Sequence, residues 1–189
     1  LPGELKDELH QLEARLKSDE QSGVKWVDAR SLHITLKFLG NIPQDSIGGI
    51  TAAMEEAARE LSSFQLKIEN LGVFPGLQKA RVGWVGISGE VEKLVQLRQR
   101  IETKLARLGF TSEVRPFTPH LTLARLRDQA SPTERQRFGQ LITGTDFRAN
   151  SIIKVDTISL MRSQLTRQGA IYSRIGLSLL KKPLSTTGA

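Results

Sequence analysis

Only three histidines occur in the 189 residues, and two of them open the same four-residue pattern: His33-Ile34-Thr35-Leu36 and His120-Leu121-Thr122-Leu123. Each copy lies in a short apolar run, residues 32–39 and 120–126, of a length that suits a β-strand. Successive side chains of a strand point to opposite faces. His33 and Thr35 then share one face and Ile34 and Leu36 the other; His120 and Thr122 stand in the same way against Leu121 and Leu123. A fold that accommodates both segments must bury two Ile/Leu faces and present two imidazoles and two hydroxyls. Two such strands can place all four groups around one ligand.

Those residue types suit one chemistry well. Histidine is the side chain whose unperturbed pKa lies near neutrality, so two imidazoles can divide an acid–base reaction. One takes a proton from the attacking group and the other gives one to the leaving group. Threonine hydroxyls two residues away can donate to non-bridging phosphate oxygens. A zinc site is poorly supported: there is no cysteine, and no nearby carboxylate completes either motif. No nucleophile-elbow sequence supports a Ser-His-Asp triad. One His-x-Thr alone reads as a solvated strand residue; two copies on comparable strands carry the functional reading. The third histidine, His10, falls on the polar flank of a helix and reads as surface.

Around the motifs the chain alternates helices and strands. Leu5, Leu9, Leu12 and Leu16 recur at helical spacing, predicting a helix over 3–19. Further helices are expected over 45–61, from about 89 to 109, and from a Ser131-Pro132 start to about 141. Strands are expected over 24–27, 64–71 and 80–87, with Gly83 and Gly86 as bulge or close-approach points. A loop is expected over 72–78, and residues 147–150 read as extended. Residues 152–162 and 170–179 read as the arms of a hairpin joined by polar 163–169, and 181–189 as a polar tail. The motifs start 87 residues apart and each is followed by a breaker and a helix, which reads as a divergent duplication. The fold class is α+β: two pseudosymmetric lobes of antiparallel sheet with helices on the outer face, in one domain over 1–189.

Composition adds bounds. Hydrophobic and charged fractions of 39% and 25% are those of an ordinary globular protein, and no apolar run is long enough for a membrane span. The net charge of +7 favours polyanionic partners. The absence of cysteine fits a reducing compartment, so a cytoplasmic monomer is expected. The chain opens at Leu1 and not at Met, so it carries no information on a leader peptide.

The stretches Ser31-Leu32-His33-Ile34-Thr35-Leu36-Lys37-Phe38-Leu39-Gly40 and Arg115-Pro116-Phe117-Thr118-Pro119-His120-Leu121-Thr122-Leu123-Ala124-Arg125 resemble the paired motifs of the 2H phosphoesterases, in particular the branch of RNA 2′,3′-cyclic phosphodiesterases also called 2′-5′ RNA ligases. Arg81-Val82-Gly83-Trp84, Met161 to Leu165 and Gly169 to Tyr172 resemble the same branch, so the likeness covers most of the chain. It implies a bilobal fold with an active cleft between the lobes. It also implies hydrolysis of RNA 2′,3′-cyclic phosphate ends, tRNA fragments among them, to 2′-phosphomonoesters without a metal or other cofactor. On that resemblance His33 is the proton donor to the leaving 3′ oxygen and His120 the base that activates water. Thr35 and Thr122 bind the phosphate, and Arg125 adds positive charge to it. The family carries an apolar strand ahead of the Leu-Pro step at which this chain begins, which implies one short sheet. Ligation of 2′-5′ ends on the same site, and a non-catalytic RNA-binding module, are the rival readings.

Arg125 poses a problem of phase. Strict alternation from His120 puts it on the core side with Leu121 and Leu123, so a strand end or a bulge is needed to bring it to a phosphate. Lys37 shares the predicted face of His33 and is a second candidate cation. Arginines at 115, 125, 127, 135, 137 and 148 crowd the sequence around the second motif. Arg127 and Arg148, with Phe117 and Lys37, are the candidate contacts of an RNA track; Arg135 and Arg137 read as solvated. Phe38 falls on the core face of Ile34 and Leu36 and reads as core or cleft wall.

Overall fold

The computed structural model describes residues 1–17, 23–166 and 169–182. The chain forms two compact units and crosses between them repeatedly, so neither is a contiguous stretch: Leu1–Thr35, Leu66–Gly89 and Thr118–Ile153 make the first, and Leu36–Gln65, Glu90–Phe117 and Lys154–Ala189 the second. The architecture is α+β. No helix among the described residues is long and apolar enough to cross a membrane.

In the first unit, α1 (Gly3–Lys17) buries the predicted stripe, with Leu5, Leu9, Leu12 and Leu16 at most 1% exposed. Burial of each such leucine contributes about 1.5–3 kcal/mol. The sheet contains β1 (Val24–Trp26), β2 (Phe64–Phe74), β3 (Val82–Gly89), β4 (His120–Leu126) and β5 (Arg148–Val155), in the order β1-β4-β3-β2-β5. The pairs β1–β4, β4–β3 and β3–β2 are antiparallel. Helix α4 (Pro132–Thr143) starts at a capping box between Ser131 and Glu134, and its Phe138 and Ile142 are fully buried. It packs on β3 at Gly83, where an added Cβ would come within 3.0 Å of Phe138. The close approach expected at that glycine is therefore made by a helix.

The predicted loop over 72–78 is cut short, because β2 runs on to Phe74. The register slips between Glu69 and Leu71, and Asn70 has a left-handed φ of 63°. At this bulge Asn70 is exposed and Leu71 only half-buried, so the apolar alternation of 64–68 reads as ended while the strand continues.

In the second unit, α2 (Ser46–Arg59) packs on α3 (Val91–Ala106) and on a two-stranded sheet of β6 (Thr157–Thr166) and β7 (Gly169–Leu179). Ile50, Met54, Ala57 and Ala58 of α2 and Leu94, Leu97, Ile101 and Leu105 of α3 are buried with Ile158 and Leu160. The hairpin forms as expected, but its first arm begins at Thr157. Ile152 to Val155 belong to β5, and Asp156, a poor strand former, divides the two strands. Of the predicted tail over 181–189, Lys181 is held in a bridge to Ser62, and 183–189 lie outside the described residues.

Candidate active site

The first motif is not a strand of its own. It is the resumption of β1. Val24, Lys25 and Trp26 pair with Leu126, Arg125 and Ala124, and the Val27 N–H donates to the Leu123 carbonyl at 2.8 Å. The chain then leaves β4 in a short 3-10 turn, Ala29–Ser31, and returns for one antiparallel bridge, Ile34 to Leu121. That bridge sets the register of the two motifs. One step to either side places His33 opposite Thr122 and Thr35 opposite His120. All four alternate with the bridge pair, so they share one face, and diagonal neighbours such as the two histidines are spaced by about 7–8 Å in strand geometry. Leu121 is fully buried, whereas His120, Thr35 and Thr122 are half-buried and His33 is exposed.

The two imidazoles are held alike. His33 Nδ1 lies 2.8 Å from the Ser31 carbonyl oxygen, and His120 Nδ1 lies 2.7 Å from that of Thr118. A carbonyl only accepts, so each Nδ1 carries the hydrogen and donates it, which leaves Nε2 as the unprotonated nitrogen of the neutral ring. For His33 the acceptor belongs to the 3-10 turn. Asp28 caps that turn, accepting from the Arg30 N–H at 2.9 Å and from the Arg30 guanidinium at 2.7 Å. These bonds from Arg30 hold the Asp28 carboxyl down at about 2. For His120 the support is aromatic. Phe74 meets the imidazole edge-on at 5.1 Å between centroids, and Trp84, cross-strand neighbour of Thr122, lies 6.3 Å away. The Trp84 ring covers Gly72, where an added Cβ would overlap it.

The phase problem of Arg125 is solved by a bulge. Gly83 pairs with Ala124 and Trp84 with Thr122, so Leu123 is the extra residue of β4. Burial changes phase there: Leu121 and Leu123 are buried, then Ala124 and Leu126, and Arg125 between them is exposed. Its cross-strand neighbour Lys25 is exposed too. Two cations directly opposite each other repel, an arrangement that an anion between them would relieve. Lys25 carried no motif, and only the strand register reveals it.

The family model of the 2′-5′ RNA ligase superfamily matches residues 1–167. The chain belongs to the 2′-5′ RNA ligase superfamily. An RNA 2′,3′-cyclic phosphodiesterase of Methanothermobacter thermautotrophicus is 31% identical over 169 residues, covering 89% of this chain and 89% of that protein. A protein of the same name from Aeropyrum pernix is 32% identical, covering 86% of this chain and 91% of its own length. In fold the chain is similar to TT0787 of Thermus thermophilus, with a TM-score of 0.79 at 23% identity, over 96% of this chain and 94% of that one. It is similar also to E. coli LigT complexed with 3′-AMP, with a TM-score of 0.74 at 23% identity and the same coverage.

Several candidate contacts of this superfamily member take other roles than expected. Lys37 is 6% exposed at its side chain and pairs with Glu102 at 2.6 Å, inside the fold and not on the exposed face expected for it. Phe117 has the Arg98 guanidinium 4.9 Å over its ring, which occupies one face. Arg127 pairs with Glu134 at 2.6 Å, bracing the start of α4. Arg148 pairs with Glu69 at 2.8 Å on β5, three strands from β4 and so about 14 Å away at the usual strand spacing. Arg127 and Arg148 are therefore engaged on different elements, one at the start of α4 and the other on β5. Phe38, expected in the core, is 78% exposed, because the pairing around Ile34 reaches no further than Thr35 and alternation does not govern the residues beyond it. Among the described residues no three His, Cys, Asp or Glu side chains gather as a metal site.

Proposed function

We propose that this chain hydrolyses RNA 2′,3′-cyclic phosphate ends to 2′-phosphomonoesters by acid–base catalysis between His33 and His120, without a metal. The observation that supports this reading is the matched pair of Nδ1–carbonyl bonds on two motifs joined by one bridge, which gives both imidazoles the same tautomer. The names of the superfamily relatives support the substrate. In the forward reaction His120 Nε2 takes a proton from water as its oxygen attacks phosphorus. The P–O3′ bond breaks, and protonated His33 gives its Nε2 proton to the leaving 3′ oxygen. The 2′ ester bond stays intact. Thr35 and Thr122 donate to the non-bridging oxygens, where charge builds in the transition state, and Arg125 adds a positive charge. With a 5′-hydroxyl in place of water the same groups would serve 2′-5′ joining: the P–O5′ bond forms as the P–O3′ bond breaks, and the opposite direction is cleavage of that linkage by the 3′-hydroxyl.

On this reading the enzyme is a cytoplasmic monomer acting on ends such as those of cleaved tRNA; the absence of cysteine fits that compartment. The test is product analysis with a 2′,3′-cyclic nucleotide and with an oligonucleotide bearing a cyclic end, each with and without EDTA. The 2′-phosphomonoester should form in all cases. A 3′-phosphomonoester, or loss of turnover on chelation, would contradict the proposal.

A further inference from the structure

Helix α3 carries a group of charges that neither motif predicts. Arg98 and Glu102 are one turn apart, with side chains 10% and 12% exposed and 3.5 Å between them. Glu102 also takes Lys37 Nζ at 2.6 Å, and the same ammonium donates to the Thr111 carbonyl at 2.8 Å. Arg98 Nε donates to the Leu36 carbonyl at 3.3 Å, its terminal nitrogen lies 3.6 Å from Glu113, and its plane covers Phe117. The partners fall into two short segments. Leu36 and Lys37 follow His33-Ile34-Thr35 directly, and Thr111, Glu113 and Phe117 lead into Thr118-Pro119-His120.

Neither segment has secondary structure of its own to fix it. Residues 111–116 are all exposed, so little apolar burial anchors the approach to His120. Nor is net stability the evident reason to keep these charges inside. A buried ion pair contributes little beyond a well-packed apolar replacement, and what it supplies in favourable cases is a unique geometry. Here that geometry joins the chain leaving one histidine to the chain arriving at the other.

We infer that Arg98 and Glu102 are positioning residues that tie the two motif-flanking segments to α3 and thereby hold His33 and His120 in register. The inference rests on the proposed function for its kinetic readout. It has a second readout that does not.

The test uses the full chain with Arg98→Lys, which keeps the charge but not the planar fork, and with the paired change Lys37→Met and Glu102→Met, which leaves no lone buried charge between them. Arg100→Gln, on the same helix but paired with Glu60, is the control. Thermal unfolding establishes that each variant is folded. Turnover of a 2′,3′-cyclic nucleotide gives kcat and KM, and NMR of the imidazole rings reports both histidines, with His10 on α1 as an internal reference. For the first two variants kcat should fall about tenfold to 10²-fold with KM little changed, because displaced groups still bind but no longer align. The His33 and His120 ring signals should move while His10 stays, and Arg100→Gln should match the wild type throughout. Folded variants with wild-type kcat, or an equal loss in Arg100→Gln, would overturn the inference. If the wild-type chain turns over no cyclic phosphate, the proposed function fails instead, and unmoved ring signals would overturn the positioning role independently.

Discussion

His33 and His120 make the same hydrogen bond: each Nδ1 donates to the carbonyl of the residue two positions earlier, Ser31 in one case and Thr118 in the other. The acceptors come from different local structures, a capped 3-10 turn and the approach to a strand. The same tautomer is thus imposed twice by unrelated means. Replacing either histidine by alanine should lower kcat by about 10²–10⁴-fold with a smaller change in KM, since proton transfer belongs to the transition state. Steady-state kinetics on a cyclic nucleotide checks this, and the double variant should lose much less than the product of the single losses.

The cross-bridge register makes Thr35 the neighbour of His120 and Thr122 the neighbour of His33. Thr35→Val and Thr122→Val keep the shape and remove the donor. Each should lower kcat/KM by about 10²-fold, the usual cost of one transition-state donor. Thr→Ser at the same positions should recover most of it. Wild-type kinetics in both valine variants would remove the hydroxyls from the phosphate site.

Asp28 has a depressed pKa, from 3.8 to about 2, chiefly through the bonds it accepts from Arg30. Its contribution is fully present above the unfolded value and is lost as pH falls through the folded one. Asp28→Asn should therefore lower Tm by a similar small amount at all pH values above about 5, since the pair is largely solvated and screened. The gap to wild type should close as pH falls from about 4 toward about 2. A gap that grows on acidification would contradict the assignment of that turn.

Gly72 lies under the Trp84 ring, which an added Cβ would overlap. Gly72→Ala should displace the indole that backs Thr122 and His120 and destabilise the fold by about 1–3 kcal/mol, as overpacking does. Chemical denaturation measures it. Unchanged stability would mean the ring has room to move.

Much of this is legible in the sequence. The run from His120 to Leu126 forms an unbroken strand, so its alternation reports the faces correctly up to Leu123. The leucine stripe of α1 and the Ser131 cap are equally direct, because each depends on contacts within one turn or one strand. What fails shares one cause. Alternation says which face a side chain takes only while pairing continues, and it ends at Thr35 after a single bridge, while β2 bulges at Asn70 and β4 at Leu123. Lys37 and Phe38 consequently exchange expected places, the lysine going in and the phenylalanine out. Lys37 finds a carboxylate 65 residues away, which no local pattern records.

The pairing of Arg127 with Glu134 and of Arg148 with Glu69 changes the expected response to salt. Arg125→Ala should weaken kcat/KM for mononucleotide and oligonucleotide alike, because its guanidinium would act on the reacting phosphate. Arg148→Ala should alter neither, being engaged with Glu69 away from β4. Affinity for a longer RNA should still fall more steeply with salt than for a mononucleotide if Lys25 contacts a further phosphate. Parallel salt slopes would leave a site that recognises only the terminal phosphate.

The pH dependence of kcat/KM for a 2′,3′-cyclic nucleotide, measured in EDTA, tests the two-histidine mechanism most directly. A bell is predicted, with one limb for loss of the proton on the donor and one for protonation of the base. The limb assigned to His120 should vanish in His120→Ala and the other in His33→Ala, each at greatly reduced rate. A profile with a single limb in the wild type, or activity abolished by EDTA and restored by a divalent metal, would contradict it.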